Sequence, residues 1–327
     1  MTFQVQSRSG EAAERQSPPL AMRHDIRRGA ICMLAAHALF TGMGALVKEL
    51  ADHIPVMELM FFRSAFALPV ILVILLRSGG NIGTLRTRRF GGHVLRASTG
   101  IAAQFCGFFS LTLLPLAEQT ALGYTQPLFI TMLAIPLLAE KVGIHRWSAV
   151  VVGFLGVLVI AAGQGALGGV AGAPGLGIGT AVAQGLFSAL TTLLVRQLSA
   201  TESSTAITLW QSLLMGGFAL VLLPFFWVTP SLTDLALLIL VGLIGGAAQW
   251  LLTEAWSSAQ VSALAPYSYS ALLWSVVFGW LVFGDVPGAS MLAGGALIVA
   301  AGLYILHREL VRRRQKASAT ATAGEVD

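Results

Sequence analysis

Ten apolar runs, each near the length of a membrane-crossing helix and joined by short polar connections, leave this chain little choice of solvent. They cover residues 30–47, 55–76, 94–114, 119–139, 147–163, 175–195, 204–227, 233–255, 260–283 and 288–306. A helix needs about 20 apolar residues to cross the hydrocarbon of a bilayer. The runs therefore predict ten transmembrane helices. Charged residues are only 11% of the chain, against about 25% in soluble domains, so a soluble domain is excluded as the main unit.

Charge then orients the spans, because Lys and Arg collect on the cytoplasmic side of membrane proteins. With a cytoplasmic N-terminus, all but two of the 20 basic residues fall on the inner side, from Arg8 through Arg77, Arg96, Lys141 and Arg196 to Lys316. Lys48 falls outside and Arg63 lies within a span. Both termini are thus expected in the cytoplasm, with the chain in the inner membrane. Residues 1–24, with Ser17-Pro18-Pro19, read as a disordered tail. No signal peptide with a small-residue cleavage site stands out. Residues 311–327 form a basic stretch and a polar tail.

The second half of the chain repeats the first. "HALFTGMGALVKEL" (37–50) lands on "QGLFSALTTLLVRQ" (184–197), and "FFRSAFALP" (61–69) on "LWQSLLMGG" (209–217). "AAQF" (102–105) lands on "AAQW" (247–250), "ALGYTQPLF" (121–129) on "PYSYSALLW" (266–274), and "LLAEKV" (137–142) on "VFGDVP" (282–287). Five matches in order indicate a duplication. Each copy holds five spans, an odd number, so the second must enter the membrane in the opposite sense. The expected fold is all-α and integral to the membrane: ten helices as two inverted five-helix repeats. Such repeats typify carriers that rock about a site at the interface of the halves. The boundaries are a tail (1–27), a first repeat (28–163), a second repeat (164–307) and a basic tail (308–327), with both tails cytoplasmic.

These motifs resemble the drug/metabolite transporter superfamily, in its ten-helix EamA-type branch. The strongest marks are "LAEQTALGYTQPLFITMLAIPLLAEKV" (116–142) with "WSAVVVGFLGVLVI" (147–160). In the second copy they are "SALAPYSYSALLWSVVFGWLVFGDV" (262–286) with "LAGGALIVAAGLYIL" (292–306). The resemblance spans about residues 28–307. It implies a central cavity built mainly by the first to fourth and sixth to ninth spans, with the fifth and tenth peripheral. It also implies cargo drawn from amino acids, vitamins, nucleoside-like metabolites and drugs. Asp285 stands in the second copy where Glu140 stands in the first.

The duplication pairs polar residues inside the spans: His37 with Gln184, Arg63 with Gln211, Gln104 with Gln249, and Tyr124 with Tyr269. None lies in the fifth or tenth span, a distribution that a central polar cavity would produce. Arg63 lies roughly 12 Å below the outer surface at 1.5 Å per residue. A charge at that depth needs a cavity or a partner. Either Arg63 meets substrate, or it forms an ion pair with Glu58 or Glu118. The glutamines either face the cavity or bond helix to helix, and His37 is equally open. A phenol offers a stacking face and a hydroxyl, which favours the cavity for the tyrosines. Trp210, Trp250 and Trp274 lie nearer mid-span than an interfacial anchor should, and they complete the set of candidate substrate-binding residues. Trp147 and Trp227 fit the anchor role. Gly242 and Gly246 predict a close helix contact, as do Ala181, Gly185 and Ala189.

Other chemistries are missing from the sequence. There is no Walker loop, no metal-ligand spacing and no catalytic Ser/His/Asp set, so no enzyme activity, metal or cofactor is expected. Cys32 and Cys106 read as small buried side chains. Arg and Lys do not interleave with aromatics as nucleic-acid binding requires. The expected partners are a small-molecule substrate and membrane lipid, with a homodimer through the fifth and tenth spans as an option. The reading is a secondary transporter working by alternating access, and a membrane enzyme or sensor is its rival. Riboflavin-like or S-adenosylmethionine-like uptake competes with amino-acid or drug export. Only His37 and Glu58 offer themselves for proton coupling, so facilitated diffusion or exchange is favoured.

Overall fold

The computed structural model describes residues 26–77, 87, 89–138, 144–165, 173–198, 201–202, 204–258, 264 and 267–324. The expected N-terminal tail, apart from residues 26–27, and most of the first third of the ninth run lie outside the described residues. All regular structure among the described residues is helical. The helices are α1 (Ile26–Leu50), α2 (Val56–Arg77), α3 (Phe90–Leu111), α4 (Leu116–Gly123), α5 (Gln126–Leu138), α6 (Ile144–Gly163), α7 (Ala173–Leu198), α8 (Ser204–Phe226), α9 (Leu232–Ser258), α10 (Ser270–Phe283) and α11 (Ala289–Gly324). Helices are what lipid demands, because hydrocarbon offers the backbone no hydrogen-bond partner. Six of them are long and apolar enough to cross a membrane, and large apolar side chains such as Leu76, Val221, Phe225 and Leu281 face outward.

The fourth run, expected as one helix, is two. The chain turns at Tyr124 and Thr125, where the Tyr124 amide donates to the Ala121 carbonyl and the Thr125 amide to that of Leu122. Pro127 causes the break. It has no N–H, and its ring would strike the carbonyl four residues back, that of Gly123. At the repeat-equivalent position Tyr269 sits just before the start of α10. Both copies therefore interrupt their helix at the matching tyrosine. The last helix also departs from expectation, running beyond the apolar segment to Gly324. Its polar extension holds Ala, Arg, Gln, Glu and Lys, all good helix formers, with no proline.

The halves pack through each other rather than side by side. α1 lies on α9 and runs antiparallel to it: Arg28 meets Glu254 at 2.6 Å at one end, and His53 meets Asp234 at 3.0 Å at the other. α3 is likewise antiparallel to α7, where Thr191 Oγ1 donates to Thr99 Oγ1 at 2.9 Å and Gly107 packs on the Gln184 amide. α2 contacts both α8 and α9. Gly242 and Gly246 form the anticipated close face on α9, seating Phe62, Phe66 and Val70 of α2 where a side chain would collide. Ala181 and Ala189 are fully buried, and Gly185 makes room for Thr125 at the helix break. α6 and α11, which hold the runs expected as the fifth and tenth spans, pack on one another with Gly156 against the carbonyl of Gly294 and Gly294 against that of Gly156.

Buried carboxylates tie connections at one end of the bundle. Glu58 is fully buried and accepts from the Val228 amide at 3.1 Å. Glu118 accepts from Gln164 Nε2 at 2.6 and 2.7 Å. Lys48 reaches Asp285 at 3.2 Å with its ammonium over the Phe283 ring. Replacing Gln164 with leucine strips Glu118 of its donor, and thermal unfolding in detergent should register a loss of about 1–3 kcal/mol. An unchanged midpoint would mean that water serves this carboxylate equally well.

Candidate functional site

Arg63 on α2 donates from Nη1 to Gln104 Oε1 on α3, and Nη1 lies 3.9 Å from the Met215 sulfur on α8. Neither anticipated acid reaches it, since Glu58 holds Val228 and Glu118 holds Gln164. The ion-pair alternative therefore falls away, for a topological reason: both acids are committed to neighbouring connections. Arg63 Nε and Gln104 Nε2 are sealed from solvent without a protein partner. Buried polar groups almost always find a partner, so these atoms mark a place of unused hydrogen-bonding capacity.

That place is a narrow cavity of about 30 Å³ lined by Arg63, Ser64, Thr208, Gln211, Ser212, Met215, Gly245 and Gln249 among others. Three sequence candidates thus line one cavity, Arg63 from the first half with Gln211 and Gln249 from the second, and Gln104 joins them through its bond to Arg63. Gly245 lets α9 approach closely, since a Cβ there would stand 3.0 Å from the Met43 sulfur and 3.7 Å from Arg63. Gly100 does the same on α3, beside Gln211 Nε2 at 3.4 Å. A space of this size holds about one water, so a metabolite enters only if the helices part.

The remaining candidates take other positions. Gln184 accepts from Gln119 Nε2 at 2.6 Å and packs on Gly107, bridging α3, α4 and α7. Tyr124 and Tyr269 meet with ring centroids 4.9 Å apart, and Tyr124 donates its hydroxyl to the Ser268 carbonyl at 2.8 Å. The two helix breaks are thereby joined across the halves. His37 Nε2 on α1 and Trp274 Nε1 on α10 are buried without protein partners, and Trp274 packs on Phe278, which reaches Gly42 of α1. Trp210 lies against His93 and Phe90 rather than at the Arg63 cavity. Trp250, next to Gln249, is 45% exposed and turns away from the bundle. At 100° per residue, a helical neighbour of a lining residue points elsewhere, so adjacency in sequence misleads here.

Sequence reasoning passed over Ser64, Met215 and Arg96. Small hydroxyls and methionines are too common in spans to signal anything. Arg96 was grouped with the cytoplasmic charges, yet it is only 8% exposed, with Nε and Nη1 unpartnered. Cys32 and Cys106 are free and half-buried. Among the described residues no group of three His, Cys, Asp or Glu could hold a metal. A larger groove of about 310 Å³ lies between α10 and α11, lined by Leu272, Leu273, Val276, Met291 and Leu292 with Tyr269. Its apolar walls and exposed leucines suit lipid chains rather than a polar metabolite.

Residues 27–162 and 175–307 each match the EamA-like transporter family. The chain is 31% identical to a riboflavin transporter of Vibrio cholerae over 91% of its length and 99% of that protein's. It is 29% identical to an S-adenosylmethionine uptake transporter of Rickettsia conorii (80% and 86% covered). It is 28% identical to the pseudopaline exporter CntI of Pseudomonas aeruginosa (84% and 95%). A protein of known crystal structure shares the fold, with a TM-score of 0.64 at 19% identity over 87% of this chain and 97% of that one. With its two halves each matching the same transporter unit and 91% of its length aligned to a riboflavin transporter, the chain belongs to the EamA-like transporter family.

Proposed function

We propose that this protein is a secondary carrier moving a small polar, partly aromatic metabolite across the inner membrane by alternating access. It does so as ten spans in two inverted repeats, 28–163 and 164–307, flanked by cytoplasmic tails at 1–27 and 308–327. The observation that carries the reading is the meeting of Arg63 from the first half with Gln211 and Gln249 from the second on one narrow cavity, with Gln104 bonded to Arg63. The exchange of packing partners supports the inverted arrangement: α1 on α9 and α3 on α7 are the same pairing under the repeat. So does the tyrosine contact between equivalent helix breaks, since interrupted helices in matching positions mark carrier sites.

In this reading Arg63 attracts an anionic or electron-rich edge of the cargo, and the three glutamines hydrogen-bond its polar rim. Tyr124, Tyr269 and Trp274 offer flat surfaces, while His37 and Gln184 supply further polar contacts. Rocking the halves about Arg63 opens the cavity to each side in turn. Riboflavin and S-adenosylmethionine, named in two of the relatives, both carry a flat nitrogen heterocycle, and we favour that class. The imposed gradient sets direction, and the relatives include both an uptake transporter and an exporter.

Counterflow decides the matter. Purified protein in liposomes preloaded with unlabelled riboflavin or S-adenosylmethionine should draw in the labelled compound transiently. Chemical conversion without accumulation would favour an enzyme and end the carrier reading. Orientation has its own check in a background where Cys32 and Cys106 are replaced. Ser231→Cys should react with an impermeant maleimide in intact cells, and Thr201→Cys only after permeabilisation. The opposite pattern would invert the topology.

A further inference from the structure

One face of α3 carries His93, Arg96, Gly100 and Gln104 at the three- and four-residue spacing that stacks side chains along a helix. His93 and Gly100 of this face meet α8. His93 packs on the Trp210 ring with centroids 5.9 Å apart, Gly100 lies on Gln211 and Met215, and Gln104 holds Arg63, which touches Met215. A polar seam therefore runs between α3 of one half and α8 of the other, from the expected cytoplasmic end to the Arg63 cavity. Arg96 lies on it eight residues from Gln104, about 12 Å along the helix.

Arg96 has no structural role that accounts for its position. It is 8% exposed, so its head is not in water as a snorkelling arginine's would be. Nε and Nη1 have no protein acceptor. Glu202, the acid on this seam, is turned to other groups: it accepts from Thr87 Oγ1 at 2.6 Å, and its other oxygen stands 3.9 Å from His93 Nε2. Glu202 thus stands beside His93, and Arg96 follows His93 by three residues on the same face of α3. Both His93 nitrogens are likewise buried without a hydrogen bond. A planar guanidinium with free donors, one helical turn from an imidazole that packs on an indole, has the chemistry to recognise a carboxylate or phosphate on a flat molecule.

We infer that Arg96, with His93 and Trp210 beside it, is a second oxyanion-recognition station, about 12 Å to the cytoplasmic side of the Gln104–Arg63 pair. A substrate bearing a carboxylate or phosphate is handed between the two arginines along the α3–α8 seam. The hand-over rests on the carrier reading proposed above, whereas binding at Arg96 does not.

Tryptophan fluorescence of the purified full-length chain in detergent tests the station, with Trp210→Phe identifying the contribution of Trp210. The probes are phenyl phosphate, benzoate and neutral benzyl alcohol. A saturable Trp210 signal is expected with an anion and not with the alcohol. Stronger binding of phenyl phosphate assigns a phosphate-bearing cargo, and stronger binding of benzoate a carboxylate. Arg96→Met should weaken that binding about tenfold or more, whereas Arg63→Met should leave it. Arg96→Met should also raise the melting temperature of the ligand-free protein, because it removes a buried cation that lacks a partner. No anion response in the wild type, binding that survives Arg96→Met, or a variant that melts lower or fails to fold would each overturn the proposal. Counterflow separates the two readings: Arg96-dependent binding without counterflow retains the station and ends the carrier, and the reverse result ends the station alone.

Discussion

Arg63→Met should reduce the initial rate of counterflow by about two orders of magnitude, the loss typical of removing a buried, hydrogen-bonded charge from a recognition site. The protein should nonetheless fold. Arg63 neutralises no carboxylate, so its removal orphans no acid, and the methionine stem fills most of the same volume. Only the Gln104 carbonyl loses a donor. Stability in detergent should therefore hold or rise, against the usual outcome of deleting a buried ionic partner. Arg63→Lys keeps the charge but loses the planar fork and should fall between the two. Wild-type flux in a folded Arg63→Met variant would remove the cavity between α2, α8 and α9 from the mechanism.

Gly156→Leu should act on the fold instead. A side chain there would enter the space held by the Gly294 carbonyl, Leu297 and Ile298 of α11. A backbone carbonyl cannot rotate away as a side chain can, so α6 and α11 must separate. The cost is about 3 kcal/mol, the upper range for overpacking a dense contact. Gly294→Leu should cost as much, since it meets the Gly156 carbonyl and Ile160. The double variant should cost less than the sum, because helices already parted have little more to lose. Gly179→Leu and Gly217→Leu are the controls: nothing stands within 4 Å of either position, and their melting temperatures should not fall. Equal melting of Gly156→Leu and these controls would refute the close packing of the fifth and tenth spans.

Much of the architecture was legible because lipid simplifies the code. Apolar length marks a span, and a repeated "AAQ" before an aromatic survives as a mark of duplication. The helix break at Tyr124 was less legible: Pro127 was visible, but prolines in spans usually bend a helix rather than stop it. The burial of Arg96 was not legible, because a basic residue near a span end ordinarily snorkels to the interface, whereas this one is 8% exposed. The mid-span depth of Trp250 said nothing of its direction, and one residue of helical rotation from Gln249 sends it outward.

By itself the sequence determined that the chain lives in lipid, that its halves are copies, and which spans carry polar groups. Those follow from composition and order along the chain, which transfer energies read directly. Only the tertiary structure decided that Arg63 and Gln104 pair, that Gln211 and Gln249 face them, and that Glu58 and Glu118 do not. Helix rotation and the choice of neighbour set those contacts, and both are resolved by packing between segments far apart in sequence.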